Sequence, residues 1–135
     1  MTKPTTKQIN SYIRKLADQL GLKDWTILLG EDEPQPENEN TRADYTPTPT
    51  RKFSYVRFRS DMCEWPASEQ RHAVIHELIH LHMVGMSEIL REDLCDHLGQ
   101  HLYNLAWNGY NRQRELAVDA IAASIAQWLP LPPWT

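Results

Sequence analysis

His76-Glu77-Leu78-Ile79-His80 is the stretch of this chain whose residue types and spacing can do chemistry. On a helix, residues i and i+4 stand one turn apart on the same face. Two imidazoles placed that way can bind one Zn²⁺ through their ring nitrogens. Glu77 sits beside the pair, where a carboxylate can take a proton from a water on the metal. The pattern points to metal-assisted hydrolysis, most often of a peptide bond.

Such a site needs a buried helix around it, since the metal must sit in a shaped, partly dry cavity. Ser68 stands before Glu69 and Gln70 as an expected N-cap. No Pro or Gly interrupts the run to Val84, and Gly85 is the expected stop. Val74, Ile75, Leu78, Ile79 and Leu81 cover the faces that the histidines leave, which makes the helix apolar on most sides and therefore buried. The competing explanation is a helix whose histidines are simply hydrogen-bonded or exposed. Against it stands the cost of burying polar groups without partners, about 1–3 kcal/mol each.

A hydrolytic zinc site usually has three protein ligands and one open position. The extended pattern with Gly at position 83 and His at position 86 is absent, because the chain has Met83 and Met86. A carboxylate on a later helix is the alternative, and Glu115 fits best. It lies within 111–121, a strongly helical stretch rich in Ala and Leu. Asp119 follows one turn later on the same face, where it can accept the free N–H of a metal-bound histidine and fix its tautomer. Other donors stay open. His97 and His101 form a second i, i+4 pair that could hold metal or line a solvated face. Glu88, Glu92 and Asp93 are within reach, although charged residues there are usually solvated. His72, one turn before His76, either lines the cleft or sits partly exposed near the helix start. His82 is rotated away from His80 and does not suit the same ion.

His76-Glu77-x-x-His80 with the downstream Glu115-x-x-x-Asp119 resembles the gluzincin arrangement of thermolysin-like zinc peptidases. The small size and element order look more like the minimal zincin-like metallopeptidases carried by phages and prophages. The resemblance is specific over 72–82, weaker over 115–123 and only architectural over the first 60 residues. It implies zinc held by His76, His80 and Glu115, a catalytic base at Glu77 and a supporting role for Asp119. Gluzincins often have Asn directly before the ligand glutamate, and here Arg114 takes that place.

The rest of the chain sets the frame. Its 135 residues make one domain, large enough for a core without disulfides. A net charge of −4 does not suggest general nucleic-acid binding. No apolar run is long enough for a membrane span, and residues 1–5 lack the apolar core of a signal peptide. Cys63 and Cys95 are expected to be reduced thiols, which fits a cytoplasmic setting, the host cytoplasm if a phage encodes the chain. No residue pattern specifies an oligomeric state.

The expected layout is α+β: an N-terminal helix, a small antiparallel sheet of about three strands, then a helical half with the metal helix and a C-terminal ligand helix. The first helix runs from Thr5 or Thr6 to about Leu20, with Ile9, Ile13, Leu16 and Leu20 on one face and Gly21 ending it. Residues 25–29 read as a short strand stopped at Gly30, and 53–59 as another, with a third expected over 41–45. The acidic, Pro-containing 31–50 segment reads as a flexible loop around that third strand, with 46–50 a turn or extended connector. Residues 88–106 and 110–129 are expected to be helical, broken or bent at Asn108-Gly109. Residues 129–135 form a proline-stiffened tail.

The 53–59 strand is the expected edge beside the cleft, able to pair with an extended peptide. Arg51, Lys52, Arg57 and Arg59 would there favour acidic segments, or would guard an edge against aggregation. The expected reaction is attack of a zinc-activated water on a peptide carbonyl, with Glu77 as base. Tyr103, Tyr110, His97 and His101 are the candidates for a second donor to the oxyanion. The partner is then a protein or peptide substrate. Two rivals are a zinc-holding interaction module without catalysis and a DNA-associated protease of the SprT-like kind. The intact Glu77 argues against the first. The acidic balance and the lack of a basic tail argue against the second.

Overall fold

The computed structural model describes residues 3–34 and 41–135. The expected loop over 31–40 therefore lies partly outside the described residues. Helix α1 (Thr6–Gln19) opens on a capping box, with the Gln8 N–H donating to Thr5 Oγ1 and the Thr5 N–H donating to Gln8 Oε1. Its Tyr12, Ile13, Leu16 and Ala17 are buried, and Gly21 follows with φ 79°, a turn that suits glycine.

Three strands follow: β1 (Thr26–Leu29), β2 (Ala43–Thr48) and β3 (Phe53–Phe58). The sheet order is β1-β3-β2. β2 and β3 form a hairpin and run antiparallel, closed by a 3₁₀ turn over Pro49–Arg51 and a left-handed Lys52. β1 lies on the other side of β3 and runs parallel to it, so the sheet is mixed rather than antiparallel. Burial accounts for the order. Ser54, Val56 and Phe58 alternate inward, and the most buried strand takes the centre.

This corrects two expectations. The 53–59 strand is central, and the edge beside helix 67–98 is β2. The 31–50 segment is not loop throughout, since its second half is strand. Pro47 sits within β2, where an edge strand tolerates the missing N–H. Lys52, Arg57 and Arg59 are held by Asp24, Asp44 and Asp61, and the Arg57–Asp44 pair is bidentate at 2.8 and 2.5 Å. The half-buried Arg57–Asp44 pair joins β2 to β3, whereas Lys52 and Arg59 are paired but remain partly exposed and Arg51 is exposed.

The helical half is one hairpin. Helix α2 (Ala67–Leu98) runs on through Gly85, and α3 (Gln100–Ile125) runs on through Asn108-Gly109. The expected stop at Gly85 does not occur, Asn108-Gly109 lies within one long helix, as one of its two expected outcomes allowed, and the helix expected over 88–106 is instead interrupted at Gly99. The chain turns at Gly99, with φ 75° and ψ 163°, a conformation essentially confined to glycine. Gly85 has open space where a Cβ would stand, so it costs only helix propensity. Pro66, not Ser68, precedes the first turn of α2, and its carbonyl accepts from the Glu69 and Gln70 N–H groups. Ile75 and Leu78 of α2 are fully buried with Ile13 and Leu16 of α1, Val56 of β3, and Val118 and Ala122 of α3.

The proline-rich tail packs back on this core. The Tyr12 hydroxyl donates to the Pro130 carbonyl at 2.8 Å, and Trp134 Nε1 donates to the buried Gln70 Oε1 at 2.9 Å. No helix among the described residues is long and apolar enough to cross a membrane.

The two glycines should therefore respond oppositely to alanine. Gly99→Ala is expected to lower unfolding free energy by about 1–3 kcal/mol, whereas Gly85→Ala should raise it by up to about 1 kcal/mol. Urea unfolding monitored by circular dichroism measures both. Equal effects of one sign would mean that the helical hairpin does not turn at Gly99.

Candidate metal centre

His76, Glu77 and His80 project from the middle of α2, and Glu115 and Asp119 from the facing stretch of α3. Because both helices are continuous here, helical spacing puts His76 and His80 on the face that α3 covers. Their Nε2 atoms lie 3.2 Å apart. The Glu115 carboxylate closes the triangle, with Oε2 3.2 Å from His76 Nε2 and Oε1 3.0 Å from His80 Nε2. Ligand bonds of 2.0–2.1 Å in a tetrahedron place donor atoms about 3.3 Å apart, so the three groups nearly span one coordination shell. Two imidazole nitrogens at this separation can share only one proton, and a cation satisfies both lone pairs and the carboxylate together. The donor set of two imidazoles and one carboxylate thus fits a single divalent ion.

The surroundings hold these donors. His80 is buried, and the Tyr45 ring of β2 stacks on it with centroids 4.8 Å apart. His76 Nδ1 lies 3.5 Å from Asp119 Oδ1, and the same oxygen is 2.8 Å from His72 Nε2. Among the described residues a second donor group, His72, His76 and Asp119, therefore adjoins the first. A neutral His76 bonded to metal through Nε2 would carry its proton on Nδ1, which faces Asp119 Oδ1 at 3.5 Å, longer than an ordinary hydrogen bond. Glu77 is buried to within 6% exposure and lines the same cleft, a cavity of about 1110 Å³ between α2, α3 and β2.

The metal-free electrostatics are those of a tight cluster. Burial pushes the Glu115 carboxyl up, but hydrogen bonds from His76 and His80 outweigh it and hold the group well below its usual range. Burial pushes the His76 imidazole down, but the Glu115 hydrogen bond and the charges of Glu77, Glu115 and Asp119 raise it overall. The His72 hydrogen bond lowers the Asp119 carboxyl. Burial raises the Tyr45 phenol, which stays protonated and able to donate.

Other expected participants lie elsewhere. His97 and His101 stand on opposite sides of the Gly99 turn, both exposed and outside the cleft. The turn removes the helical continuity that would have put them on one face. Tyr103 is buried against Trp107, and the Tyr110 hydroxyl pairs with Ser87 Oγ at 3.1 Å; neither tyrosine lines the cleft. His82 points away, its Nε2 2.6 Å from the Leu20 carbonyl. Glu88 reaches the cleft but pairs with Arg91. Cys63 and Cys95 are free thiols. Sequence reasoning missed Tyr45 and took Arg114 only as a departure from a motif. The first comes to the site through strand pairing, and the second through the neighbouring ligand position on α3.

In the metal-free protein the cluster should stabilise the fold within a window of pH. Glu115, lowered on folding, contributes above its ordinary value of 4.5 and loses that contribution as pH falls. His76, raised on folding, contributes below its ordinary value of 6.5 and loses that contribution as pH rises. In chelator, the melting-temperature gap between wild type and Glu115→Gln should be widest between these two values and narrow on both sides. A gap that does not change with pH would show that the cluster is not coupled to folding.

Comparison of the chain with protein-family models, curated proteins and solved structures finds no match.

Proposed function

We propose that this protein is a zinc-dependent metallopeptidase of the gluzincin type that hydrolyses peptide bonds in a protein or peptide substrate. The observation that carries this reading is the convergence of His76 Nε2, His80 Nε2 and the Glu115 carboxylate within 3.0–3.2 Å, with buried Glu77 in the same cleft. A structural zinc site would be closed by four protein ligands. Here three converge among the described residues, and all three line a large open cleft.

Zn²⁺ bound at these donors supplies Lewis acidity, polarising a carbonyl and lowering the pKa of water to about 7. Glu77 accepts the proton of the attacking water and returns it to the leaving amine nitrogen. Its place next to His76 in the sequence keeps it beside the ligands without joining them. Asp119 holds His76 through Nδ1, which fixes the tautomer that leaves Nε2 free to bind. Tyr45, kept protonated by burial, stacks on His80 and lines the cleft, and is the candidate donor to the oxyanion. β2, an outer strand of the sheet among the described residues, flanks the cleft and is the candidate for the peptide-pairing role expected of 53–59.

Substitution and zinc analysis test this together. Glu77→Gln should keep one zinc per chain and lose about 10²–10⁴ of the hydrolysis rate on quenched fluorescent peptides. His76→Ala and His80→Ala should lose both zinc and activity, and His97→Ala should keep both. A Glu77→Gln variant as fast as wild type would refute the base, and zinc uptake without hydrolysis by any form would move the reading to a non-catalytic zinc module.

A further inference from the structure

Four arginines line the cleft, and three are neutralised. Arg42 pairs with Glu69 at 2.9 Å, Arg57 with Asp44 at 2.5 Å and Arg91 with Glu88 at 2.5 Å. Arg114 differs. Its side chain is 11% exposed, and among the described residues its nearest carboxylate oxygen is Glu115 Oε1 at 3.9 Å, beyond hydrogen-bond distance. Its hydrogen bonds go to neutral groups, Ser87 Oγ at 2.9 Å and Asn111 Oδ1. Its Nε has no partner among the described residues. The guanidinium lies over the Trp107 and Tyr110 rings, at 5.6 and 5.8 Å from their centroids.

This is a mostly buried cation whose one ion pair among the described residues is a long contact to Glu115, itself a candidate metal ligand. Holding it costs the fold several kcal/mol in desolvation, of which two cation–π contacts return only part. A neutral side chain would pack between Ser87 and the two rings without that penalty. The rings, Ser87 and Asn111 fix the plane of the fork, and a fixed guanidinium fork is the side chain best matched to a carboxylate. The guanidinium lies 3.9 Å from Glu115 Oε1. An anion on Arg114 therefore lies next to whatever occupies the His76–His80–Glu115 donors.

We propose that Arg114 is a carboxylate-binding subsite, holding a substrate carboxylate beside the bond that is cleaved. This rests on the peptidase reading above. The carboxylate has two sources, the free C-terminus of a short leaving segment or an acidic side chain at that position. The favoured substrates are accordingly peptides that end, or carry Asp or Glu, just beyond the scissile bond.

The probes are N-acetyl-trialanine, its C-terminal amide, and the amide with Glu in place of the last alanine. Each is titrated by calorimetry into the zinc-loaded Glu77→Gln chain and into the metal-free wild-type chain, so that direct binding of carboxylate to zinc is separated from binding at Arg114. A charge-assisted pair predicts a preference of about tenfold or more for a carboxylate-bearing peptide over the plain amide, in both protein forms. Preference for the free acid assigns the terminal source, and preference for the Glu amide assigns the side-chain source. Arg114→Gln should abolish the preference and Arg114→Lys should reduce it. If Arg114→Gln does not fold, the wild-type peptide comparison and Arg114→Lys still decide. No preference in wild type, or one that survives in Arg114→Gln, overturns the subsite. A chain that prefers the carboxylate but takes up no zinc instead overturns the peptidase reading and leaves the subsite standing.

Discussion

The α2–α3 hairpin is organised around a polar cluster set into an apolar seam. His76 and His80 lie among residues that bury Val74, Ile75, Leu78 and Ile79, and Glu115 meets them from the other helix. Buried polar groups must be paired or they oppose folding. Here His76 Nε2, His80 Nε2 and the Glu115 carboxylate are one another's partners, while His80 Nδ1 has none among the described residues, so the register of α3 against α2 is tied to the same atoms that could hold an ion. A slip of α3 by one residue would rotate Glu115 by about 100° and leave His80 facing apolar atoms.

How far the sequence foretold the molecule depended on how local each determinant is. The first helix was legible from its capping residues and apolar face, and the metal helix from its i, i+4 histidines, because these patterns act within a turn or two. Glu115 and Asp119 were legible because they too sit one turn apart on a stretch of strong helix formers. The glycines were misjudged, since Gly85, Gly99 and Gly109 carry the same local signal. What separates them is backbone conformation in the folded hairpin, where only Gly99 takes a positive φ that other residues avoid. The sheet was misjudged for a related reason. Parallel pairing of β1 with β3 is decided by which strand is most buried, and short strands announce that only weakly.

Tyr45 and Arg114 were the participants least visible beforehand. A tyrosine between an acidic segment and a Thr-Pro run has no local mark of function. It arrives over His80 because β2 is the sheet edge that leans on α2. Arg114 was visible only as the wrong residue for a family pattern. Once the helices are paired, the same departure becomes a feature of this chain, because it places a guanidinium beside the carboxylate that would bind metal.

The second donor group, His72 with His76 and Asp119, shows how the cluster assigns its roles. His76 cannot serve both groups through the same nitrogen, and the two nitrogens point to different neighbours, Nε2 to Glu115 and Nδ1 to Asp119. Asp119 is 63% exposed, so its ion pairs are screened by water and contribute little to stability. Its contribution is orientation, turning His76 so that Nε2 faces His80 and Glu115. His72 bonds the same oxygen from the cleft side and limits how far that carboxylate can swing. The contacts run from His72 to Asp119 to His76 and then to the shared donor point, with Asp119 the most exposed of them, and the burial of His80 beneath Tyr45 gives the series a fixed end to align against.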